Sequence, residues 1–107
     1  MAAIAALASL AQETRLDTFR LLVRQEPGGL AAGEIARRLD VPQNTMSAHL
    51  ATLARAGVVR SERQGRSIIY RADLDRLRAL TVFLVKDCCA SRAELCIPLI
   101  AELTPCC

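Results

Sequence analysis

Cysteines are the residues of this chain best suited to chemistry, and all five lie in its last twenty residues. Cys88, Cys89 and Cys96 fall in the stretch KDCCASRAELC, and Cys106 and Cys107 close the sequence. The apolar opening MAAIAALASLA has no positive charge ahead of it, so it does not resemble an export signal. We therefore expect a cytosolic protein, in which clustered thiols indicate metal binding or redox chemistry rather than disulfide bridges.

Length and composition limit the kind of protein that carries these thiols. With 107 residues and 52% hydrophobic content, the chain is expected to fold as one domain spanning residues 1–107. Aromatic residues make up only 3%, which is too few to stack on single-stranded nucleic acid. The net charge of +3 is mild, so a polyanionic partner would have to meet locally placed charge. No apolar stretch approaches the ~20 residues of a membrane span, and we expect no membrane partner.

Helical periodicity predicts three helices in the first half of the chain, over residues 3–25, 30–39 and 43–56. Pro27-Gly28-Gly29 separates the first helix from the second, and a tight break at residues 40–42 separates the second from the third. The inward positions of the third helix are Met46, Leu50 and Leu53. Two short helices joined by such a turn indicate a helix-turn-helix motif.

The next segments predict a β-hairpin and a last helix. Val58–Arg63 and Ser67–Arg71 flank a tip at Gly65, and this order after a helix-turn-helix is that of a winged helix. Asp73 is expected to cap a long helix that is apolar on nearly every face from residue 79 to 85. Such a helix needs cover on every side, most simply from a second copy of the chain. The candidate dimerisation residues are Ile4, Leu7, Leu80, Phe83 and Leu84, although for the first two core packing is an equal alternative.

Small and amide-bearing side chains occupy the outward surface of the third predicted helix, where they could reach base edges in the major groove of DNA. The alternative is an ordinary solvated helix face, and the position of the helix directly after a turn favours DNA. Basic residues at the hairpin tip would meet phosphates or the minor groove. The predicted DNA-binding residues are Gln43, Asn44, Thr45, Ser47, His49, Arg63, Gln64 and Arg66.

The motifs LAQETRLDTFRLL, GEIARRLDVPQNTMSAHLATLARAGVV and RQGRSIIYR resemble those of the ArsR/SmtB family of metal-responsive winged-helix repressors. The resemblance covers residues 11–71. It implies a mainly α-helical winged helix-turn-helix that dimerises through its first and last helices. It also implies that the dimer binds operator DNA and leaves it when a metal or metalloid binds. In this family the second helix of the motif reads the DNA, and the turn at residues 63–66 is the wing.

The usual metal sites of the family are not matched by this sequence. Many arsenic and cadmium sensors of the family carry a cysteine box, ELCVCDL, on the first helix of the motif. The corresponding segment of this chain is GLAAGEI, in which Ala31 and Gly33 replace the two cysteines. Zinc and nickel sensors use histidines and carboxylates on the last helices. Asp73 and Asp75 are present, but no histidine follows them. The sensing residues are therefore expected elsewhere.

The segment CCASRAELC is similar to the thiol pattern of family members that respond to arsenite. Trivalent arsenic and antimony bind three sulfurs, whereas structural zinc sites want four ligands. We thus predict As(III) or Sb(III) as inducer, with no organic cofactor, bound by Cys88, Cys89 and Cys96 within a C-terminal segment of residues 86–107. A zinc, cadmium or lead site completed by Cys106 or Cys107 is one alternative.

Packing of single cysteines, a redox sensor and an enzyme are further interpretations of the same thiols. A redox-sensing repressor would use the same fold, but a pair of thiols would suffice for it. A thiol arsenate reductase would need an arginine six residues after its cysteine, and Glu94, Leu95 and Glu102 occupy those positions. We therefore expect no enzymatic activity.

Helix geometry adds one structural prediction for this segment. In a continuous helix Cys89 and Cys96 would lie ~10 Å apart along the axis, too far to share one ion. The last helix should therefore end near Cys89, and the chain should turn through residues 90–92 and bring Cys96 back. A short helix near Pro98–Leu103 should follow.

Overall fold

The computed structural model of the protein describes residues 3–87 and 92–103. Its helices are α1 (Ala3–Leu10), α2 (Glu13–Arg24), α3 (Ala32–Leu39), α4 (Gln43–Arg55), α5 (Leu74–Val82) and α6 (Ala93–Leu103), with a π-helical turn at Phe83–Asp87. Its strands are β1 (Leu30–Ala31), β2 (Val59–Gln64) and β3 (Ser67–Ala72). The fold is a mainly α-helical winged helix-turn-helix, as predicted. None of the helices within the described ranges is long and apolar enough to cross a membrane.

The first predicted helix is in fact two, so the prediction of one helix over residues 3–25 is wrong. The Gln12 side chain accepts a hydrogen bond of 2.8 Å from the backbone N–H of Arg15 and so caps a new helix start. Arg15 in turn donates from Nε to the carbonyl of Ser9 at 2.7 Å, in the last turn of α1. Because these side chains satisfy backbone groups on both sides of the break, the chain can change direction there.

The helix-turn-helix is confirmed as α3 and α4. After α3, Asp40 adopts a left-handed backbone with φ of 55°, and the N–H of Val41 bonds to the carbonyl of Ala36 at 2.9 Å. The three predicted inward residues of α4 are fully buried: Met46, Leu50 and Leu53. Periodicity therefore identified the buried face of this helix.

The predicted hairpin is confirmed as β2 and β3, but it belongs to a sheet of three antiparallel strands in the order β1-β3-β2. Leu30 pairs with Tyr70 and Ala31 with Ile69. The prediction that the second helix begins at residue 30 is therefore wrong by two residues. This two-residue strand is held by pairing with a strand forty positions away, which no local pattern indicates.

One core joins the motif to the helices around it. It contains Phe19 and Leu22 of α2, Ile35 of α3 and Leu80 of α5, together with the buried face of α4. Thr18 of α2 is also buried, and its hydroxyl donates to the carbonyl of Thr14 at 2.7 Å and contacts the sulfur of Met46 at 3.6 Å. The position of α4 thus depends on α2 and α5 as well as on the turn before it.

The helical structure that follows the hairpin does not run unbroken through Cys96, as predicted, because Arg92 has no regular structure. Asp73 caps α5 by accepting a bond of 3.0 Å from the N–H of Arg76. Helix then continues as the π-helical turn to Asp87, and Arg92 has no regular structure. The predicted helix end at Cys89 lies outside the described residues. Helix α6 begins at Ala93, earlier than the predicted start near Pro98.

Candidate DNA-binding surface and cysteine segment

The predicted reading residues form the outer surface of α4. Gln43, Asn44, Thr45 and Ser47 are exposed, and His49 is half-buried. The Asn44 side-chain oxygen accepts a hydrogen bond of 2.9 Å from the N–H of Thr45, which leaves its amide N–H₂ group as a donor. These side chains are short, polar and carried on a rigid helix whose other face is buried. The surface can therefore present donors and acceptors to base edges in a major groove.

The hairpin tip presents positive charge. Arg63, Gln64 and Arg66 are all exposed, and the pairing of Gln64 with Ser67 leaves Gly65 and Arg66 as the two turn residues. Neither Arg63 nor Arg66 forms an ion pair with another residue of the described ranges. Both guanidinium groups can therefore meet phosphates.

A groove of about 300 Å³ separates the start of α4 from the hairpin. We call it the wing groove, and it is lined by Ala31, Ala32, Gly33, Gln43, Arg66, Ser67, Ile68 and Tyr70. Its floor is made by small side chains at the start of α3. Two of the predicted DNA-binding residues, Gln43 and Arg66, therefore face the same space from different elements.

An ion-pair cluster that the sequence analysis missed holds the hairpin in place. Arg71 of β3 donates to both carboxylate oxygens of Glu26 at 3.0 Å and to Glu62 of β2 at 2.9 Å. Hydrogen bonding to Arg71 holds the pKa of Glu26 below its ordinary value, and hydrogen bonding to Glu26 raises the pKa of Arg71. Glu62 is a diagonal neighbour of Arg71 across the hairpin, so the strand register predicted from the sequence could have identified this ion pair. Glu26, which follows α2, gave no local signal.

Only one of the predicted metalloid ligands lies within the described residues. Cys96 is buried, with 9% of its surface exposed, and its thiol donates to the carbonyl of Val85 at 3.3 Å. Cys88, Cys89, Cys106 and Cys107 lie outside the described ranges. Residues 3–87 and 92–103 hold no group of three or more His, Cys, Asp or Glu side chains that could bind a metal.

The two carboxylates that stand where zinc and nickel sensors of the family have ligands, Asp73 and Asp75, have other contacts. Asp73 is engaged in capping that helix, and Asp75 is exposed at 4.0 Å from Arg78. Within the described ranges, Asp73 therefore caps a helix and Asp75 faces solvent, and the two do not form part of a metal-binding cluster.

The candidate dimerisation residues are placed differently from one another. Ile4 is 84% exposed, and Leu7 and Leu84 are also exposed. Phe83 packs partly against the core, and Leu80 is only 4% exposed because it belongs to the core of its own subunit. Further exposed apolar residues lie on α6, namely Ile97, Leu99, Ile100 and Leu103. Apolar surface is therefore concentrated on the first and last helices.

Comparisons with known proteins agree with this geometry. The family model for a helix-turn-helix domain matches residues 10–62. The transcriptional activator HlyU of Vibrio cholerae is 30% identical over 87 residues, which cover 81% of this chain and 78% of that protein. An ArsR-like transcriptional regulator from Rhodococcus sp. RHA1 superposes with a TM-score of 0.74 at 28% identity, covering 98% of this chain and 92% of that one.

A third relative is a homodimeric winged helix-turn-helix DNA-binding domain from Mycobacterium bovis, a possible ArsR-family transcriptional regulator. Its solution structure superposes with a TM-score of 0.64 at 28% identity and covers 85% of this chain and 84% of that one. The likeness therefore includes helices on both sides of the helix-turn-helix.

Proposed function

The chain belongs to the ArsR family of winged-helix transcriptional regulators, and from this premise we propose that it is a homodimeric repressor induced by As(III) or Sb(III). In the proposal, Cys88, Cys89 and Cys96 bind the metalloid and the dimer then leaves its operator DNA. The observation that carries the proposal is the contact between the Cys96 thiol and the carbonyl of Val85.

This contact supports a site that Cys96 shares with the cysteine pair. Val85 precedes Cys88 by three residues and Cys89 by four. The sulfur of Cys96 therefore lies beside the turn of helix that leads into the cysteine pair. In a continuous helix, the eleven residues from Val85 to Cys96 would instead span ~16 Å along the axis.

The donor set suits a trivalent metalloid. Arsenous acid enters as a neutral hydroxide, and three thiols replace its three hydroxyl groups to give three As–S bonds and three waters. No net charge is brought to the site, and three sulfurs complete the coordination. A structural zinc site takes four ligands, so zinc would need one more ligand than these three cysteines provide.

Binding at Cys96 would also change the helix end. The thiol proton that now bonds to the Val85 carbonyl would leave with a water, so that hydrogen bond would be lost. Val85 lies in the π-helical turn that continues α5, and Leu80 of α5 shares its buried cluster with Leu50 and Leu53 of α4. A shift of α5 would thus reach the reading helix through packed side chains. Coupling energies of this kind are typically ~1–3 kcal/mol.

The DNA-binding half of the proposal rests on the exposed surface of α4 and on the basic hairpin tip. Two copies related by a two-fold axis would present two such helices to successive major grooves, about 34 Å apart on one face of the duplex. The exposed apolar residues of α1 and α6 offer the surface through which the copies would associate.

The decisive experiment is a titration of the reduced protein on a duplex selected from a random-sequence pool. Fluorescence anisotropy would follow release by As(III), Sb(III), Cd(II), Zn(II) and peroxide. We expect release by As(III) and Sb(III) alone. X-ray absorption should report three sulfurs for each bound arsenic.

Two cysteine variants make the test specific. Cys96→Ser should bind the duplex as the wild type does but should not be released by As(III). Cys106→Ser, the matched control, should be released normally. Release of the wild type by peroxide and its reversal by a reductant, without a response to As(III), would instead establish a redox sensor.

A further inference from the structure

We propose that Gln43 binds a backbone phosphate of the DNA together with Arg66, and does not read a base as the sequence analysis expected. The inference rests on the proposed binding of duplex DNA by α4 and the hairpin. It assigns the wing groove to one phosphodiester of the bound strand.

The first observation is the direction of the Gln43 side chain. A β-carbon placed on Gly33 would lie 3.7 Å from both the nitrogen and the oxygen of the Gln43 amide. The amide therefore lies beside the start of α3, on the flank of α4. Asn44 and Ser47 occupy the exposed surface of the same helix without lining this groove. A β-carbon at Gly33 would thus make ordinary van der Waals contact with this amide, which places the amide directly against the start of α3.

The second observation is the chemistry of the wing groove. Gln43 offers an N–H₂ donor, Arg66 a guanidinium without an ion-pair partner in the described ranges, and Ser67 a hydroxyl. No acidic side chain is among its lining residues. Donors with one positive charge match a phosphodiester, whose oxygens only accept hydrogen bonds. A volume of about 300 Å³ is enough for a phosphate with its neighbouring sugar.

The third observation is the position of the groove between two DNA-contacting elements. When α4 lies in a major groove and the hairpin contacts the flanking backbone, the strand between them must pass the space that separates them. That space is the wing groove. Contacts made there fix the register of the protein on the duplex without carrying sequence information.

The test compares Gln43→Ala and Arg66→Ala with Asn44→Ala on the selected duplex and on an unrelated duplex over a range of salt concentrations. Gln43→Ala should weaken both complexes by the same factor, about tenfold for one hydrogen bond to a charged group. Its salt dependence should equal that of the wild type because glutamine is neutral. Arg66→Ala should lower the slope of log affinity against log salt by ~0.9.

Methylphosphonate substitution locates the contact. Replacing phosphates of the selected duplex one at a time should reveal a position at which loss of charge weakens the wild-type complex. The same substitution should have a smaller effect on Gln43→Ala and on Arg66→Ala, each of which keeps one of the two partners, and no further effect on the double variant. Asn44→Ala is the control. It should remain as sensitive as the wild type to loss of charge at that phosphate, but the ratio of its affinities for the selected and the unrelated duplex should change. Circular dichroism would verify that each variant is folded.

Two results would overturn the inference. If Gln43→Ala changes the ratio of affinities for the two duplexes and keeps the full wild-type sensitivity at every phosphate, Gln43 reads a base. If the two single variants lower the sensitivity at different phosphates, Gln43 and Arg66 do not share one. A wild-type protein that binds no duplex at all would refute the DNA-binding function itself, and this inference with it.

Discussion

Replacing Gly29 by alanine is predicted to destabilise the fold by displacing the hairpin from the α2–β1 connection. Gly29 precedes β1 and has a left-handed backbone with φ of 73°. A β-carbon there would lie 2.6 Å from the carbonyl oxygen of Tyr70 and 2.6 Å from Cγ of Arg71. Since the first of these atoms belongs to the backbone of β3, a rotamer change cannot relieve the contact.

The expected cost has two parts. An L-residue in the left-handed region costs ~1–2 kcal/mol, and forcing an extra methyl group into a packed site typically costs ~1–3 kcal/mol more. Together they amount to ~2–5 kcal/mol, a large fraction of the ~5–15 kcal/mol by which a domain is stable. Gly65→Ala isolates the first part. Gly65 has a similar φ of 65° at the hairpin tip, and no atom lies within 4 Å of the position that a β-carbon would take there.

Urea unfolding followed by circular dichroism would measure both variants. Gly65→Ala should lose about 1 kcal/mol and Gly29→Ala at least twice as much, and the difference is the cost of displacing β3. Equal free energies of unfolding for the two variants would refute the close packing of the connection against the sheet.

Three further outcomes are expected. Hydrogen bonds from Arg71 hold the pKa of Glu26 below its ordinary value of 4.5. The contribution of these bonds to stability is therefore complete above about pH 4.5, and it is lost as the pH falls through the lowered pKa. The stability difference between the wild type and Glu26→Gln, measured by urea unfolding, should therefore shrink below that pH; a constant difference would contradict the ion pair. Removal of residues 105–107 should leave release from DNA by As(III) intact in the anisotropy titration, because three sulfurs suffice. Asn44→Ala should lose ~1–3 kcal/mol of discrimination between the selected duplex and one with a changed base, and unchanged discrimination would remove Asn44 from the reading surface.

Local patterns in the sequence were enough for the helix-turn-helix and the hairpin. In α4 the spacing of Met46, Leu50 and Leu53 identified the buried face, and the exposed face followed by exclusion. The glycine at the hairpin tip and the cap at Asp73 are also local signals, since each acts within three residues. The break before Cys96 was predicted from helix geometry together with the hypothesis that Cys89 and Cys96 share one ion.

Tertiary structure decided the features that depend on residues distant in sequence. Strand β1 exists because Leu30 pairs with Tyr70, and the hairpin is anchored because Glu26 reaches Arg71 across 45 positions. Likewise, Gln43 and Arg66 line one groove although they belong to different elements of the chain. A periodic pattern reports which face of an element is buried, because that depends on the element's own geometry. It carries no information about which distant backbone or side chain completes a strand, an ion pair or a groove.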